Sequence, residues 1–330
     1  MLATLMITVL VILTIVNGAT RYAFRQITQM KPQSSESIYT NLEQAGVFSR
    51  EKFNNLIKKE VQIISRDGFK LSGYVLESHP NSKRWAIIVH GYTVSLHVSA
   101  QYIDMFEREG FNVLLIDQRR HGNSQGKYTT YGFMEKYDVD SWVRWILEHY
   151  GEDRVIGLHG QSLGGGTVLE YLNIAHPNVK FVIADCPYSD LTELLRYQIK
   201  VLNKLPIYPL LPLLNIQMKR RAGFRMQQVS PLRAVRYSSM PLLLIHGTKD
   251  NYVPTHMGES LYEHKRGPKR LLLVEGAVHG NAYAVSPQQY AEEVHALIQE
   301  TLGSLEKPEE PEKSEESAVS QIEHAYLPSI

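Results

Sequence analysis

The stretch Gly160-Gln161-Ser162-Leu163-Gly164 combines a potential nucleophile with the glycines that a very tight turn requires. It lies between an apolar run that predicts a strand and a helical pattern over residues 164–174. A sharp strand-to-helix turn forces the backbone of the central serine toward positive φ and brings neighbouring chain close. Side chains larger than hydrogen at positions 160 and 164 would therefore collide with it. The following helix points its N–H groups at developing negative charge. The pattern predicts that Ser162 is a nucleophile.

Two other functions of glycine-rich turns fit this stretch less well. A phosphate-binding loop of the G-x-x-x-x-G-K-[ST] type needs a lysine, and none follows these glycines. The glycines at positions 160, 164, 165 and 166 also lack the G-x-G-x-x-G spacing of a dinucleotide site. An ordinary turn with a solvated serine remains the simplest alternative. It becomes less favoured if the sequence also offers a base and an acid that could activate the serine.

A nucleophilic serine needs a base, and the base needs an acid that orients it. Asp250 and His279 each follow a predicted strand, so both are expected at the same edge of a parallel sheet as Ser162. Asp185 is the main competitor for the role of the acid, because it ends an earlier strand. Asp190 lies close behind it in the chain. Four other histidines also lie near strand ends, where a structural role is the commoner one: His90, His121, His159 and His246.

Two backbone N–H groups are expected to bind the negatively charged oxygen of a tetrahedral intermediate. The first belongs to Leu163, the residue after the nucleophile. The second belongs to Tyr92, in the loop His90-Gly91-Tyr92-Thr93 after an early strand. Only the backbone of Tyr92 is needed for this role, so its side chain can differ freely.

Alternating strand and helix patterns must position these residues. Helical patterns cover 96–108, 134–149, 164–174 and 288–302. The predicted strands are 61–65, 70–77, 85–90, 112–117, 154–160, 181–187, 241–247 and 270–276. This alternation predicts an α/β fold with a mostly parallel eight-stranded sheet and helices on both faces. The turn Arg66-Asp67-Gly68 makes the first two strands an antiparallel hairpin.

The segment 189–236 is too long for a simple crossover and predicts a short helical cap insertion over the ligand-binding end of the sheet. Its prolines at 206, 209 and 212 exclude a continuous regular helix. The apolar stretch 205–214 would line an acyl pocket, touch lipid or pack within the cap. The basic run Lys219-Arg220-Arg221 would suit anionic headgroups.

The ends of the chain differ from the catalytic part, which we place at residues 59–302. Residues 1–20 carry no charged side chain and are long enough for a membrane anchor. Positive charge follows only on the C-terminal side, which favours a main domain in the cytoplasm. A cleaved signal peptide, with an extracytoplasmic or secreted domain, is the alternative. Residues 21–58 are predicted to be a stalk or docking segment. The acidic residues 303–330 are predicted to be a disordered tail.

Composition excludes several classes of function. A net charge of +1 without a basic patch gives no reason to expect nucleic acid as a partner. The single cysteine, Cys186, excludes a disulfide framework and a multi-cysteine zinc site. We expect no cofactor and no metal, and the expected partners are a small or lipid-like ester and, through the anchor, a membrane.

The order Ser162, Asp250, His279, together with HGYT, GQSLGGG, HGTKDNYVP and VEGAVHG, resembles the α/β-hydrolase superfamily over about residues 60–302. The chain is most similar to membrane-anchored hydrolases related to prolyl-oligopeptidase-like and dienelactone-hydrolase-like enzymes. Their D-x-R-G-x-G-x-S loop corresponds to residues 117–124, with Arg120 in place of the first glycine.

This resemblance implies a cofactor-independent serine hydrolase acting on an ester, thioester or amide. Cleavage of a carboxylic ester with an apolar acyl group is the preferred prediction. A serine peptidase or amidase with the same catalytic residues is one alternative. A non-catalytic binding protein of the same fold is the other.

Overall fold

The computed structural model describes residues 1–303, which contain one eight-stranded sheet with the order β1-β2-β4-β3-β5-β6-β7-β8. β2 pairs antiparallel with both β1 and β4, and all other pairs are parallel. The predicted α/β fold, with its mostly parallel sheet and opening hairpin, is confirmed. The strands are β1 (Lys59–Ile64), β2 (Lys70–Leu76), β3 (Arg84–Val89), β4 (Asn112–Ile116), β5 (Val155–Gln161), β6 (Val179–Asp185), β7 (Leu242–Gly247) and β8 (Lys269–Val274).

Helices connect the strands and precede them. They are α1 (Leu2–Thr28), α2 (Ser35–Gln44), α3 (Arg50–Asn55), α4 (Leu96–Ser99), α5 (Ile103–Arg108), α6 (Glu135–Tyr150), α7 (Leu163–Tyr171), α8 (Leu191–Tyr197), α9 (Leu210–Gln217), α10 (Pro231–Tyr237), α11 (Thr255–His264), α12 (Ala282–Val285) and α13 (Pro287–Leu302).

Alternate residues of each central strand point to opposite faces of the sheet and build two cores. In β3, Ile87 packs with the core that contains α6 and α7, whereas Ile88 packs with the core that contains α5 and α13. Both residues are fully buried, as expected for a parallel strand covered by helices on both faces. The catalytic edge of the sheet is thus supported from both sides.

The segment 189–236 lies between β6 and β7 and is built from α8, α9 and α10. A π-helical turn follows α8 and another follows α9, and a 3-10 turn precedes α10. In the proline-rich stretch, α9 begins only at Leu210, directly after Pro209. Apolar side chains of the segment, among them Leu194, Leu211 and Met218, form a third core with Leu163 of the site. The segment therefore covers the catalytic end of the sheet, while Lys219, Arg220 and Arg221 remain exposed.

Residues before β1 pack against the domain that contains the sheet. In α1 the side chains of residues 2–11 are exposed, whereas Phe24 is 2% exposed and lies in the third core with α9. Ile38 and Leu42 of α2 are also buried. The predicted stalk or docking segment thus consists largely of helix that contacts the catalytic domain. The predicted tail lies outside the described residues, apart from Gly303.

Candidate active site

Ser162 lies at the turn between β5 and α7 with φ 55° and ψ −111°. This positive φ is costly for a serine and is held by the packing around it. A Cβ on Gly160 would lie 2.2 Å from the carbonyl oxygen of Gly164, and a Cβ on Gly164 would lie 2.0 Å from that of Val89. Both glycines are therefore required by close contact with backbone, as the motif predicts.

The structure brings the three predicted reactive side chains together. Ser162 Oγ lies 2.8 Å from His279 Nε2, and His279 Nδ1 lies 2.7 Å from Asp250 Oδ2. Asp250 follows β7, and His279 follows β8, so adjacent parallel strands deliver both to the edge where β5 delivers Ser162. The side chain of Asp250 is fully buried, while that of His279 is 23% exposed. This arrangement can move a proton from the serine to the imidazole.

Hydrogen bonds keep Asp250 ionised. Burial alone would raise the pKa of its carboxyl, but hydrogen bonds with His246 and His279 outweigh burial and lower that pKa. The other carboxylate oxygen, Oδ1, accepts the backbone N–H groups of Tyr252 and Val253, each at 2.9 Å. The carboxylate is therefore fixed in orientation and able to hold one tautomer of His279.

Asp185, the main competitor for the acid, occupies a different place. Its Oδ2 accepts hydrogen bonds from the hydroxyls of Tyr102 and Tyr290, both at 3.3 Å, and its Oδ1 has no hydrogen-bond partner. Complete burial raises the pKa of this carboxyl to about 6. Asp190 accepts backbone N–H groups at the start of α8. Of the three candidate carboxylates, Asp250 is the one bonded to His279.

The other four candidate histidines contact structural partners. Burial lowers the pKa values of His90, His121 and His159, in the case of His159 to about 3, so these imidazoles stay neutral. His159 Nε2 lies 2.7 Å from the hydroxyl of Tyr290. His246 has a supporting role that its sequence position did not reveal. Its Nε2 lies 2.9 Å from the carbonyl oxygen of Val253 and 3.3 Å from Asp250 Oδ2.

The two expected N–H donors flank the serine. Leu163 begins α7, where the first N–H groups of a helix have no partner within the helix. The loop that carries Tyr92 follows β3, and a Cβ on the preceding Gly91 would lie 3.5 Å from Ser162 Cβ. Tyr92, Ser162 and His279 line the same cavity. The geometry is compatible with an oxyanion site formed by Tyr92 and Leu163.

A cavity of about 400 Å³ opens at Ser162 and His279. One wall comes from α2 and its flanks, including Ile38, Leu42 and Val47, and none of the described lining residues belongs to the cap insertion. Of the three alternatives for the cap's apolar stretch, lining an acyl pocket is therefore not met at this cavity. Leu211 and Leu214 of that stretch instead pack in the third core.

Sequence reasoning also missed Gln161, the residue before the nucleophile. Its side-chain Nε2 donates to the hydroxyl of Tyr102 and to the carbonyl oxygen of Gly280, both at 2.9 Å. The second bond ties the end of β5 to the loop that carries His279. The middle positions of G-x-S-x-G accept many residue types, so the motif contains no signal for this contact.

Cys186, Asp250 and His279 have potential ligand atoms within 4.8 Å of one another. Asp250 and His279 are already hydrogen-bonded to each other, and His279 also contacts Ser162. Burial raises the pKa of the Cys186 thiol, whereas a thiolate is the form that binds metal. The cluster therefore suits proton transfer better than metal binding.

Known proteins are similar to this chain over most of its length. A family model described as the alpha/beta hydrolase fold matches residues 86–206. The chain is 36% identical over 281 residues to the uncharacterized protein YqkD of Bacillus subtilis, covering 84% of this chain and 91% of that protein. It is 27% identical over 241 residues to alpha/beta hydrolase domain-containing protein 17B of Xenopus tropicalis, covering 72% and 74%.

Solved esterase structures are also similar. The Pyrococcus furiosus esterase Pf2001 superposes with a TM-score of 0.63 at 27% identity, covering 78% of this chain and 95% of that one. The esterase domain of a Rhodothermus marinus protein superposes with a TM-score of 0.51 at 20% identity, covering 75% and 100%, and this match bears on the fold alone.

Proposed function

This chain belongs to the α/β-hydrolase family, and we propose that it is a serine hydrolase that cleaves carboxylic esters or thioesters through an acyl-enzyme. The observation that carries the proposal is the hydrogen-bonded series Ser162, His279, Asp250 on a strained turn beside a cavity. The similarity to an esterase of known structure favours ester chemistry over peptide cleavage.

The reaction follows from these positions. Ser162 Oγ attacks the ester carbonyl carbon while His279 Nε2 takes its proton, and the N–H groups of Leu163 and Tyr92 stabilise the charged oxygen. Collapse of the intermediate breaks the bond to the alkoxy oxygen, which receives the proton from His279 and leaves as the alcohol. Water then attacks the acyl-enzyme while His279 takes its proton. The bond between the acyl carbon and Ser162 Oγ breaks, Oγ receives the proton from His279, and the acid leaves. Asp250 orients His279 and stabilises its protonated form throughout.

An apolar acyl group fits the aliphatic wall of the cavity at Ser162. Ile38 and Leu42 are 2% and 7% exposed and, with Val94 and Val98, present aliphatic side chains to the cavity. Each methylene that such a wall buries contributes about 0.8 kcal/mol, which is about a fourfold gain in kcat/KM when it is realised in the transition state. The pocket therefore favours medium-length acyl chains over acetyl.

A substrate panel tests the type of bond and the acyl preference together. We expect p-nitrophenyl hexanoate to be hydrolysed with a higher kcat/KM than the acetate, and esters and thioesters faster than aminoacyl amides. Equal turnover from acetate to octanoate would contradict an apolar acyl pocket. Faster cleavage of aminoacyl amides would favour the peptidase or amidase alternative instead.

We further propose that α1 anchors the protein in a membrane with the hydrolase domain on the cytoplasmic side, as in the membrane-anchored branch that the sequence resembles. Among the described residues, α1 is the one helix long and apolar enough to cross a bilayer, although a signal sequence meets the same criteria. The exposed residues Arg21, Arg25, Lys219, Arg220 and Arg221 suit an anionic membrane surface beside it. Recovery of the full-length, uncleaved chain in the soluble fraction would contradict the anchor.

A further inference from the structure

The carboxyl end of α1 is fastened to the hydrolase domain by its own backbone carbonyl groups. The last four carbonyls of a helix have no partner within the helix and must be satisfied from outside. Here successive carbonyl oxygens accept hydrogen bonds from one surface of the domain: Gln26 from Tyr92 Oη at 2.7 Å, Ile27 from Tyr131 Oη at 2.8 Å, Thr28 from Thr129 N at 2.9 Å and Gln29 from Arg120 Nη2 at 3.1 Å.

One of these donors belongs to the oxyanion loop. Tyr92 directs its hydroxyl to α1, while its backbone N–H is a candidate donor to the oxyanion. The next residue, Thr93, has φ 64° and accepts a hydrogen bond through its carbonyl oxygen from Gln33 N at 2.7 Å. A β-branched residue rarely adopts positive φ, and such strain persists when surrounding contacts hold it. The segment 26–33 therefore holds this loop at two consecutive residues.

Two further features strengthen the contact between the end of α1 and the domain. Phe24 is buried and meets the ring of Tyr128 edge to face at 5.4 Å, so the end of α1 is packed as well as hydrogen-bonded. Arg120 has φ 71°, in the left-handed region that favours glycine, and its guanidinium donates to the carbonyl oxygen of Gln29. The arginine that replaces the first glycine of the D-x-R-G-x-G-x-S pattern thus forms a hydrogen bond with the end of α1.

We propose that the end of α1 and its connection to α2 position the oxyanion loop, so that the segment 26–33 is a working part of the active site. Tyr92 is then a positioning residue through its hydroxyl, in addition to the role of its backbone. The proposal rests on the proposed function, because the position of this N–H group affects turnover only if Ser162 attacks a carbonyl group.

The test compares Tyr92→Phe with Tyr131→Phe in the full-length protein in detergent. Each substitution removes one hydroxyl that donates to a carbonyl at the end of α1, but only Tyr92 belongs to the oxyanion loop. The substitution at Tyr92 leaves its backbone N–H in place. Similar melting temperatures would show that the two substitutions weaken the contact between α1 and the domain to a similar extent. A difference in kcat between the variants would then come from the oxyanion loop.

Loss of an entire oxyanion donor costs about 100- to 1,000-fold in kcat, and displacement of a retained donor should cost less. We expect Tyr92→Phe to lower kcat for a p-nitrophenyl ester about tenfold with KM within about twofold, and Tyr131→Phe to keep both within about twofold. If Tyr92→Phe kept the kcat of the wild type, or if both variants lost kcat equally, the positioning role would be overturned. The proposed function would still stand in either case, because the wild-type protein would still hydrolyse the ester. Failure of a fluorophosphonate to label the wild-type protein would overturn both.

Discussion

Replacement of Asp250 by asparagine tests the assignment of the acid. The new side chain can still accept the N–H groups of Tyr252 and Val253 through its amide oxygen, so the local fold should persist. The amide nitrogen then replaces Asp250 Oδ2, which lies 2.7 Å from His279 Nδ1. Because an amide nitrogen donates, it favours the imidazole tautomer with the proton on Nε2, the atom that must accept the proton of Ser162.

The expected loss is about 10⁴-fold in kcat, the typical result of the wrong tautomer in such a series of residues. At 1.36 kcal/mol for each factor of ten, this loss corresponds to about 5.4 kcal/mol in the activation free energy. The same substitution at Asp185 is the matched control. That carboxylate is also buried and belongs to the last residue of β6, but it contacts Tyr102 and Tyr290. Asp185→Asn should keep kcat within about tenfold of wild type if its part is structural.

The assay is initial-rate hydrolysis of a p-nitrophenyl ester at pH 7 to 8, with circular dichroism to verify that each variant is folded. A folded Asp250→Asn protein that keeps more than a tenth of wild-type kcat would refute the assignment of Asp250. A loss of about 10⁴-fold in Asp185→Asn with activity retained in Asp250→Asn would transfer the role to Asp185.

Two further predictions concern stability and specificity. The pKa of Asp185 is raised to about 6 in the folded state from 3.8, so its contribution to stability is full below pH 3.8 and is lost as pH rises through about 6. Urea unfolding should therefore show Asp185→Asn gaining about 2 kcal/mol on wild type between pH 4 and pH 7, and a constant difference would contradict the raised pKa of this carboxyl. Leu42→Trp should fill the α2 wall and lower kcat/KM for p-nitrophenyl hexanoate about tenfold while the acetate changes less than about twofold. Equal losses for both esters would show that Leu42 does not contact the acyl group.

Local sequence patterns were sufficient to predict the sheet and the turn at Ser162. A strand buried on both faces is a continuous apolar run, and backbone contact at Gly160 and Gly164 admits no larger side chain. The fold class, the parallel strands and the opening hairpin therefore follow from the sequence. The proximity of Ser162, Asp250 and His279 also follows, because parallel strands deliver their carboxyl ends to one edge of the sheet.

Long-range contacts were beyond the reach of those patterns. Asp185 ends a strand and Asp250 follows one, and only side-chain direction shows which of them meets His279. The bond between Tyr92 and Gln26 joins positions 66 residues apart. The amphipathic pattern of α2 indicates a buried face but not that this face closes the cavity at Ser162. The wall that α2 gives this cavity therefore comes from the segment predicted as a stalk or docking segment.

The proposed serine mechanism depends most directly on the nucleophilicity of Ser162. Treatment of the full-length protein with a fluorophosphonate, followed by peptide mass spectrometry, measures this property without knowledge of the natural substrate. We expect the wild-type protein to gain one phosphonyl group on the peptide that contains Ser162, and Ser162→Ala to gain none. An unlabelled wild-type protein, or equal labelling of Ser162→Ala, would contradict the serine mechanism, and the first of these results would favour a non-catalytic binding protein.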